Sequence, residues 1–399
     1  MNKVELLAPC GSLEKLKIAV LYGADAVYIG GKKFSLRARA SNFSMEDIKE
    51  GTAFAHKHNA KVFVTMNIVP HDEDFDGLEE YLKELESFKV DAIIVSSLYI
   101  ASVAKKVAPL LEVHLSTQAS TLNHLAVDAY KKLGFDRVVL GRELSIDEIR
   151  KLKASSDIDL EVFIHGGMCV SHSGRCMLSN HMTNRDANRG GCAHSCRWNY
   201  DLYDEGKKLN DSCYFNIGSK DLAAPNFIFD LLDIGVTSLK IEGRMKSLYY
   251  IATVVRCYRN LIDKYYEASF DRTKIDLDYY FEEIKKAENR QTSIGFFNGD
   301  PKVTEQLYNI RSEEPTKDFL AIVKSYDKET KEAIIEVRNY FEVGSTIEAF
   351  GPKLENTSFV LTEMTDLEGE NVDVARHPLE ILKIKIPFVV SEFDMLRKK

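Results

Sequence analysis

Eight short apolar runs, each followed by a stretch of helical period, fill most of the first 250 or so residues and constrain the fold more than anything else in the chain. The runs are Glu5–Ala8, Ala26–Ile29, Lys61–Met66, Ala92–Val95, Glu112–Leu115, Arg137–Leu140, Glu161–Ile164 and Ser238–Ile241. They are nearly continuous in apolar character and rich in β-branched residues, as strands are when both faces of a sheet are covered. Between them, segments such as Ser12–Tyr22, Met45–His58, Leu78–Phe88, Leu98–Val107, Leu122–Leu133 and Ser145–Ala154 repeat apolar residues at three- and four-residue spacing. That is the period of a helix with one buried face. Ser12 stands where an N-cap belongs, and Ser145 with Glu148 has capping-box spacing. Eight βα units in about 250 residues predict a (β/α)8 TIM-like barrel. An open doubly wound sheet is the competing arrangement, but the first turn lacks the G-x-G-x-x-G of a dinucleotide site.

Two loops break the regular spacing: Phe34–Asn42 after the second strand, and the stretch from Gly166 to about Asn216 before the eighth. A loop that long inside a compact domain is usually functional. After the eighth strand, Ser247–Ala268 and Leu277–Asn289 read as two trailing helices. The polar run RSEEPTKD near 310–317 marks a boundary, beyond which Phe319–Ser325, Glu332–Val337, Thr346–Phe350, Phe359–Met364 and Ile381–Ile386 alternate as short strands. The expected organisation is therefore a barrel domain over 1–310, carrying a cysteine-rich insertion at 165–200, and a small antiparallel β-barrel over 318–399.

Hydrophobic residues make up 45% and charged residues 29% of the 399, which excludes disorder and fibrous folds. The N-terminus MNKVELLAPCG lacks the apolar core and cleavage site of a secretory signal, and no run reaches the roughly 18 apolar residues of a membrane span. A cytoplasmic protein without membrane association is expected. Its seven cysteines, an odd number, then do not form a disulfide framework. Four of them, Cys169, Cys176, Cys192 and Cys196, follow the spacing C-x6-C-x15-C-x3-C within the long loop. Thiolates are soft ligands that suit zinc or an iron–sulfur cluster, and four from one irregular segment can surround a single centre. Zinc knuckles more often pair cysteines two to four residues apart, so the six-residue gap favours a [4Fe-4S] cluster. The C-x3-C-x2-C of radical-SAM proteins is absent. Cys10, Cys213 and Cys257 stand apart; Cys257 lies on an amphipathic helix and reads as core, and Cys10 ends the first strand, where it could face a pocket.

A barrel enzyme builds its site where strands end. Those positions hold Gly30-Gly31, Asn67, Ser96, Ser116-Thr117-Gln118, Gly141-Arg142-Glu143, His165-Gly166 and Glu242-Gly243-Arg244, with Arg37 and Arg39 in the second loop. The loop around the cysteines adds Arg175, Arg185, Arg189 and Arg197 against Asp186 alone. Guanidinium forks match carboxylates and phosphates, so an anionic ligand is expected. Glu143 and Glu242 read either as partners of these arginines or as site groups. His165 reads as a general acid or base, as a donor behind a cluster, or as a loop histidine. No G-x-S-x-G elbow or H-E-x-x-H helix occurs, so hydrolysis has no motif behind it. The net charge of −8 argues against non-specific coating of nucleic acid, and the tail over 318–399, with 16 acidic and 11 basic residues, does not bind phosphate by charge.

The runs LLAPCGSLEKLKIAVLYGADAVYIGG, FSLRARASNF, LSTQAS, EVFIHGGMCVSHSGRC, NRDANRGGCAHSCRW, SKDL, SLKIEGRMKS and ENRQTSIGFFNG resemble the collagenase-like peptidase family U32 across the first 300 or so residues. The tail from Phe319 is similar to the small C-terminal β-barrel domain of many members. Within the family, the cysteine spacing and the Arg197-Trp198 pair after the last cysteine most resemble the branch that hydroxylates tRNA. The resemblance implies prephenate-dependent, oxygen-independent hydroxylation of the wobble uridine at C5, giving 5-hydroxyuridine. It implies tRNA as partner, prephenate as co-substrate, a [4Fe-4S] cluster on Cys169, Cys176, Cys192 and Cys196, and an electron donor or partner protein of the same family. Arg37, Arg39, Arg142, Glu143 and Arg244 would then bind substrate anions, and Gln118, His165 and Glu242 would orient the reacting groups. Other branches hydroxylate ribosomal RNA or a ubiquinone precursor, and the family's label is peptidase; these are the alternatives, together with a zinc-stabilised RNA-binding module. Cys10 departs from the family's L-A-P-A-G turn, where alanine is common.

Overall fold

The computed structural model describes residues 3–36, 42–209, 215–267, 269–308 and 319–399. Seven strands run parallel in chain order: β1 (Glu5–Pro9), β2 (Ala26–Gly30), β3 (Lys61–Met66), β4 (Ala92–Val95), β5 (Glu112–Leu115), β6 (Arg137–Val139) and β7 (Asp159–Gly166). The Ser238–Ile241 strand pairs parallel with both β7 and β1, which closes a barrel of eight. All eight expected strands are present, with bounds that differ by no more than two residues. Every residue of β2 and β4 is buried, as a strand between barrel interior and outer helices must be.

The helices α1 (Leu13–Leu21), α2 (Met45–Lys57), α3 (Leu78–Ser87), α4 (Leu98–Val107), α5 (His124–Lys132) and α6 (Ile146–Ser155) follow their strands. Local chemistry starts them where the spacing says. The Ser12 hydroxyl accepts from the Lys15 N–H, and full capping boxes form at Ser44–Asp47 and Ser145–Glu148. Each cap satisfies amide donors that the first turn leaves without partners.

The interior of the barrel is partly charged. Beside a small apolar layer of Leu7, Ala26, Tyr28, Phe63, Ala92 and Ile94, the Arg137 guanidinium lies 2.6 Å from Glu5 Oε1 and 3.2 Å from Glu161 Oε2. Lys240 Nζ donates to the other oxygen of Glu161 at 2.7 Å. Burial pushes the Glu161 carboxyl up, but Lys240 and Arg137 outweigh it and hold the group below its ordinary value.

Between β7 and the Asp221–Ala223 strand, the described residues hold one short α-helix, α7 (Leu178–Thr183), amid turns. Its return is stapled: the Asp221–Ala223 strand pairs antiparallel with β7, Leu222 opposite Gly166 and Ala223 opposite His165. After α8 (Ile228–Ile234), the trailing helices α9 (Leu248–Tyr265) and α10 (Leu277–Lys285) complete this part of the chain.

Residues 319–399 form a seven-stranded antiparallel sheet, a half-barrel, in the order Thr357–Val360, Thr346–Phe350, Met395–Lys398, Phe319–Asp327, Glu332–Val337, Ile381–Lys385 and Met364–Thr365. One expected strand, Phe359–Met364, is two: Thr357–Val360 pairs with Thr346–Phe350, and Met364–Thr365 with Ile381–Lys385. The Met395–Lys398 strand, read from no sequence pattern, sits inside the sheet. The expected boundary near 310–317 lies outside the described residues.

The sheet packs on outer helices of the barrel domain. Tyr249 of α9 stacks on Phe319 with centroids 5.1 Å apart, and the Tyr22 hydroxyl donates to the Phe393 carbonyl at 2.9 Å. Arg397 is wholly buried, donating to Glu283 of α10 at 2.6 Å and to Glu348 of the sheet at 2.7 Å, with its guanidinium 4.5 Å from the Phe350 ring. Replacing Arg397 by Met leaves two carboxylates facing each other at the join. The expected loss is about 3 kcal/mol in urea denaturation, at the low end for breaking a buried pair because Lys286 also reaches both carboxylates.

Candidate active site at the barrel mouth

A cavity of about 520 Å³ opens at the C-terminal ends of the strands, the end where barrel enzymes place their chemistry. Its inner wall comes from the barrel and its outer wall from the cysteine segment. Asn67, Ser116, Thr117, Gln118, Arg142, Glu242 and Arg244 line it, as their strand-end positions predict. Arg244 is buried and braced: Nη1 lies 2.9 Å from the Ser35 hydroxyl and 3.3 Å from that of Thr65, while Nη2 meets the Leu36 carbonyl. Gly30 makes room for it, since a Cβ there would fall 1.8 Å from Nη1. Arg142 donates to the Gly167 carbonyl and lies 5.0 Å from the Phe163 ring centroid. Glu242 accepts from the Tyr28 hydroxyl at 2.9 Å. Arg37 and Arg39 lie outside the described residues, as does Cys213.

All four clustered cysteines line this one cavity, and none is in a disulfide. Burial pushes the Cys196 thiol up to about 11; Arg197 pulls the other way, and Cys169, Cys192 and Cys176 add to the rise. Cys176 is held through its backbone by Asn188, which accepts from its N–H at 3.2 Å and donates to its carbonyl at 3.1 Å. Its sulfur accepts from the Leu178 N–H at 3.3 Å. Among the described residues, no three Cys, His, Asp or Glu side chains converge on one point at metal-ligand distance. The donor set nonetheless fits a thiolate-bound cluster: four free thiols share one pocket, with a backbone N–H already aimed at one sulfur.

The arginines of the segment mostly staple it. Arg175 Nε donates to the Gln118 carbonyl at 3.0 Å, Arg185 to the Cys192 carbonyl at 3.3 Å, and Arg189 pairs with Asp74 in the loop after β3. Glu143 belongs to this stapling and is not on the cavity wall: it accepts from the Ser173 N–H at 2.6 Å and from its hydroxyl at 2.7 Å. Cys10 also lies off the cavity, wholly buried in the main core, where burial pushes its thiol up.

His165 is displaced from the position its sequence predicts. Alternation along β7 would place it on the same face as Glu161 and Phe163, but the register with the Ser238–Ile241 strand shifts between Lys240 and Ile241. One extra residue flips a side chain to the other face. His165 therefore packs outward against Tyr250 and Tyr258 of α9, with Nδ1 3.3 Å from the Tyr258 hydroxyl, and is absent from the cavity wall. Burial lowers it to about 3, so the ring is neutral.

Several wall residues have no counterpart among the expected ones. Lys240 lies buried at the cavity wall, 4.5 Å from the Tyr28 ring centroid and 5.3 Å from that of Phe163. A lone charge in the strand run Ser238–Ile241 was the signal for it. Lys246 and Arg290 are likewise new, and with Arg197, already named in the cysteine segment, they form a second cationic group on the wall, facing the buried Asp221 at 3.8, 3.5 and 3.1 Å.

Fold and site together define a (β/α)8-barrel protein whose mouth is covered by a thiol-bearing segment and walled by guanidinium and ammonium groups. Residues 11–307 match the model of peptidase family U32, and residues 315–397 match that of the family's C-terminal domain. The chain belongs to peptidase family U32. It is 48% identical to tRNA hydroxylation protein P1 of Bacillus subtilis over 403 residues, which is 100% of this chain and 95% of that protein. Identity to tRNA hydroxylation protein P of Helicobacter pylori is 40% over 313 residues, 75% of this chain and 73% of the relative. The 23S rRNA 5-hydroxycytidine C2501 synthase of Escherichia coli is 37% identical over 270 residues, 68% of this chain but 41% of that enzyme.

Behind the wall, Glu288 is pushed up to about 8 by burial, and the charge of Asp221 adds to the rise. One of its oxygens lies 3.7 Å from His165 Nε2. A raised carboxyl stabilises the fold fully below its ordinary value of 4.5, and that contribution is lost as the pH rises through about 8. His165 acts at the other end: its contribution is present above 6.5 and lost as the pH falls through about 3. Glu288→Gln, which has no proton to lose, should gain on the wild type by on the order of 2 kcal/mol between about pH 5 and pH 8.5, read from urea midpoints.

Proposed function

We propose that this protein hydroxylates tRNA, replacing the C5 hydrogen of the wobble uridine by hydroxyl, with prephenate as co-substrate and a [4Fe-4S] cluster on Cys169, Cys176, Cys192 and Cys196. The names of its relatives support an RNA hydroxylase. The observation that carries the reading is the meeting of four free thiols and a cationic wall in one cavity at the barrel mouth. A bound cluster would supply one-electron redox chemistry, which the polypeptide itself lacks.

The chain's own residues do the rest. Arg142, Arg244 and Lys246 offer fixed cations to carboxylates of the co-substrate or to RNA phosphates, held in place by the contacts described above. The Tyr28 hydroxyl donates to the Glu242 carboxylate at the cavity wall, and the Gln118 amide faces the same space. A wobble base stands in a single-stranded loop, so bringing it to a recessed cavity requires little unpairing. Exchange of C5–H for C5–OH takes two electrons from the base, so prephenate is proposed as both the oxygen donor and the two-electron acceptor; an external electron donor or a partner protein of the same family would serve only to reset the cluster, and the reaction belongs to the cytoplasm, where tRNA is.

The family's peptidase label has no nucleophile elbow or metal-hydrolase helix behind it in this sequence. Deleting the gene in a strain without a parallel pathway should remove 5-hydroxyuridine from total tRNA nucleosides, measured by liquid chromatography and mass spectrometry. Cys176→Ser should restore less than about a tenth of it and should yield protein with little iron after anaerobic purification. Modification that survives deletion overturns the substrate, and full modification by Cys176→Ser overturns the cofactor.

A further inference from the structure

We propose that Asp221 is a positioning residue, a clasp that holds the two ends of the cysteine segment together through Arg197. The inference deepens the reading of the thiols as cluster ligands and rests on it only for its metal-binding consequence. Asp221 opens the Asp221–Ala223 strand and is buried. Because that strand pairs with the end of β7, its carboxylate stands where the segment both leaves the barrel and returns. Its Oδ1 accepts from Arg197 Nη2 at 3.1 Å, and the same nitrogen lies 3.1 Å from the Met168 carbonyl. Met168 directly precedes Cys169, and Arg197 directly follows Cys196. One guanidinium thus bridges the flanks of the first and last cysteines, and one carboxylate fixes that guanidinium.

Two further features single out Asp221. Arg290 and Lys246 face its other oxygen at 3.5 and 3.8 Å, so three cations meet at this buried carboxylate. Neutralising it to Asn keeps an acceptor oxygen but removes the charge, which weakens the charge-assisted hydrogen bond that orients Arg197 and leaves those cations repelling one another, so the bridge is driven apart. The backbone ties the far end of the segment to its return, from the Ile217 N–H to the Cys196 carbonyl at 3.0 Å and from the Tyr200 N–H to the Phe215 carbonyl at 2.8 Å, but among the described residues neither tie reaches Met168 or Cys169. The spacing of Cys169 relative to Cys196 therefore depends on this side-chain contact.

The test uses the full-length, reduced, metal-free protein, with N-ethylmaleimide as probe and peptide mass spectrometry to follow each cysteine. In Asp221→Asn, Cys169 and Cys196 should label at least about fivefold faster than in the wild type, while core Cys257, wholly off the cavity, stays protected as evidence of an intact fold. Asp221→Glu should return both rates towards the wild-type values. After anaerobic reconstitution with ferrous iron and sulfide, Asp221→Asn should hold less than about half the iron and acid-labile sulfide of the wild type. Labelling of both cysteines within twofold of wild type overturns the clasp, whatever the iron content. A wild type that takes up no iron or sulfide overturns the cluster reading alone, and the labelling rates still decide the clasp. If Cys257 labels in Asp221→Asn, the fold is lost, and Arg197→Lys, which keeps the cation but loses the fork, carries the same comparison.

Discussion

Everything at the mouth of this protein depends on the closure of the barrel by the Ser238–Ile241 strand. That strand bonds to β1 on one side and β7 on the other, and it delivers Lys240 to Glu161 inside and Glu242 and Arg244 to the rim. Closure without it would expose the edges of two strands and leave Glu161 buried beside Arg137 with one cation fewer. The segment that carries the cysteines lies between β7 and this strand in the chain. Its ends are therefore fixed by the same closure that shapes the cavity.

The electrostatics follow one scheme throughout. Each cation on the wall is oriented by a group behind it: Lys240 by Glu161, Arg197 by Asp221, Arg244 by hydroxyls and a carbonyl. Desolvation makes such groups costly singly and well ordered when paired, so the wall is rigid before any ligand arrives. The acidic total of the chain hides this arrangement. Its C-terminal half-barrel packs on α9 and α10 through Tyr249, Phe319 and Arg397 and contributes no residue to the cavity wall.

Much of the fold was legible because strand burial and helix spacing are local patterns. Caps at Ser12 and Ser145 and the eight strands needed no tertiary knowledge. The site was legible where it follows from position: a residue at the C-terminal end of a barrel strand faces the mouth, which holds for Gln118, Arg142, Glu242 and Arg244. His165 broke that rule because a register shift, set by pairing with a strand more than seventy residues away, turned it towards Tyr258. Glu143 broke it because Ser173, brought near by the folded cysteine segment, offered two donors. The division of Phe359–Met364 and the central strand Met395–Lys398 were hidden for a similar reason, since antiparallel partners far along the chain decide them.

By itself, then, the sequence determined the barrel, the place of the long insertion, the four-thiol spacing and the polar ends of the strands. These are properties of neighbouring residues, written in period, composition and motif. Only the tertiary structure decided that the four thiols and the cationic wall share one cavity, that Lys240 stands on its wall, and that Asp221 meets Arg197, Arg290 and Lys246. Those are encounters between groups distant in sequence. Which cation meets which carboxylate is settled by the burial that removes water from both, and no local pattern records it.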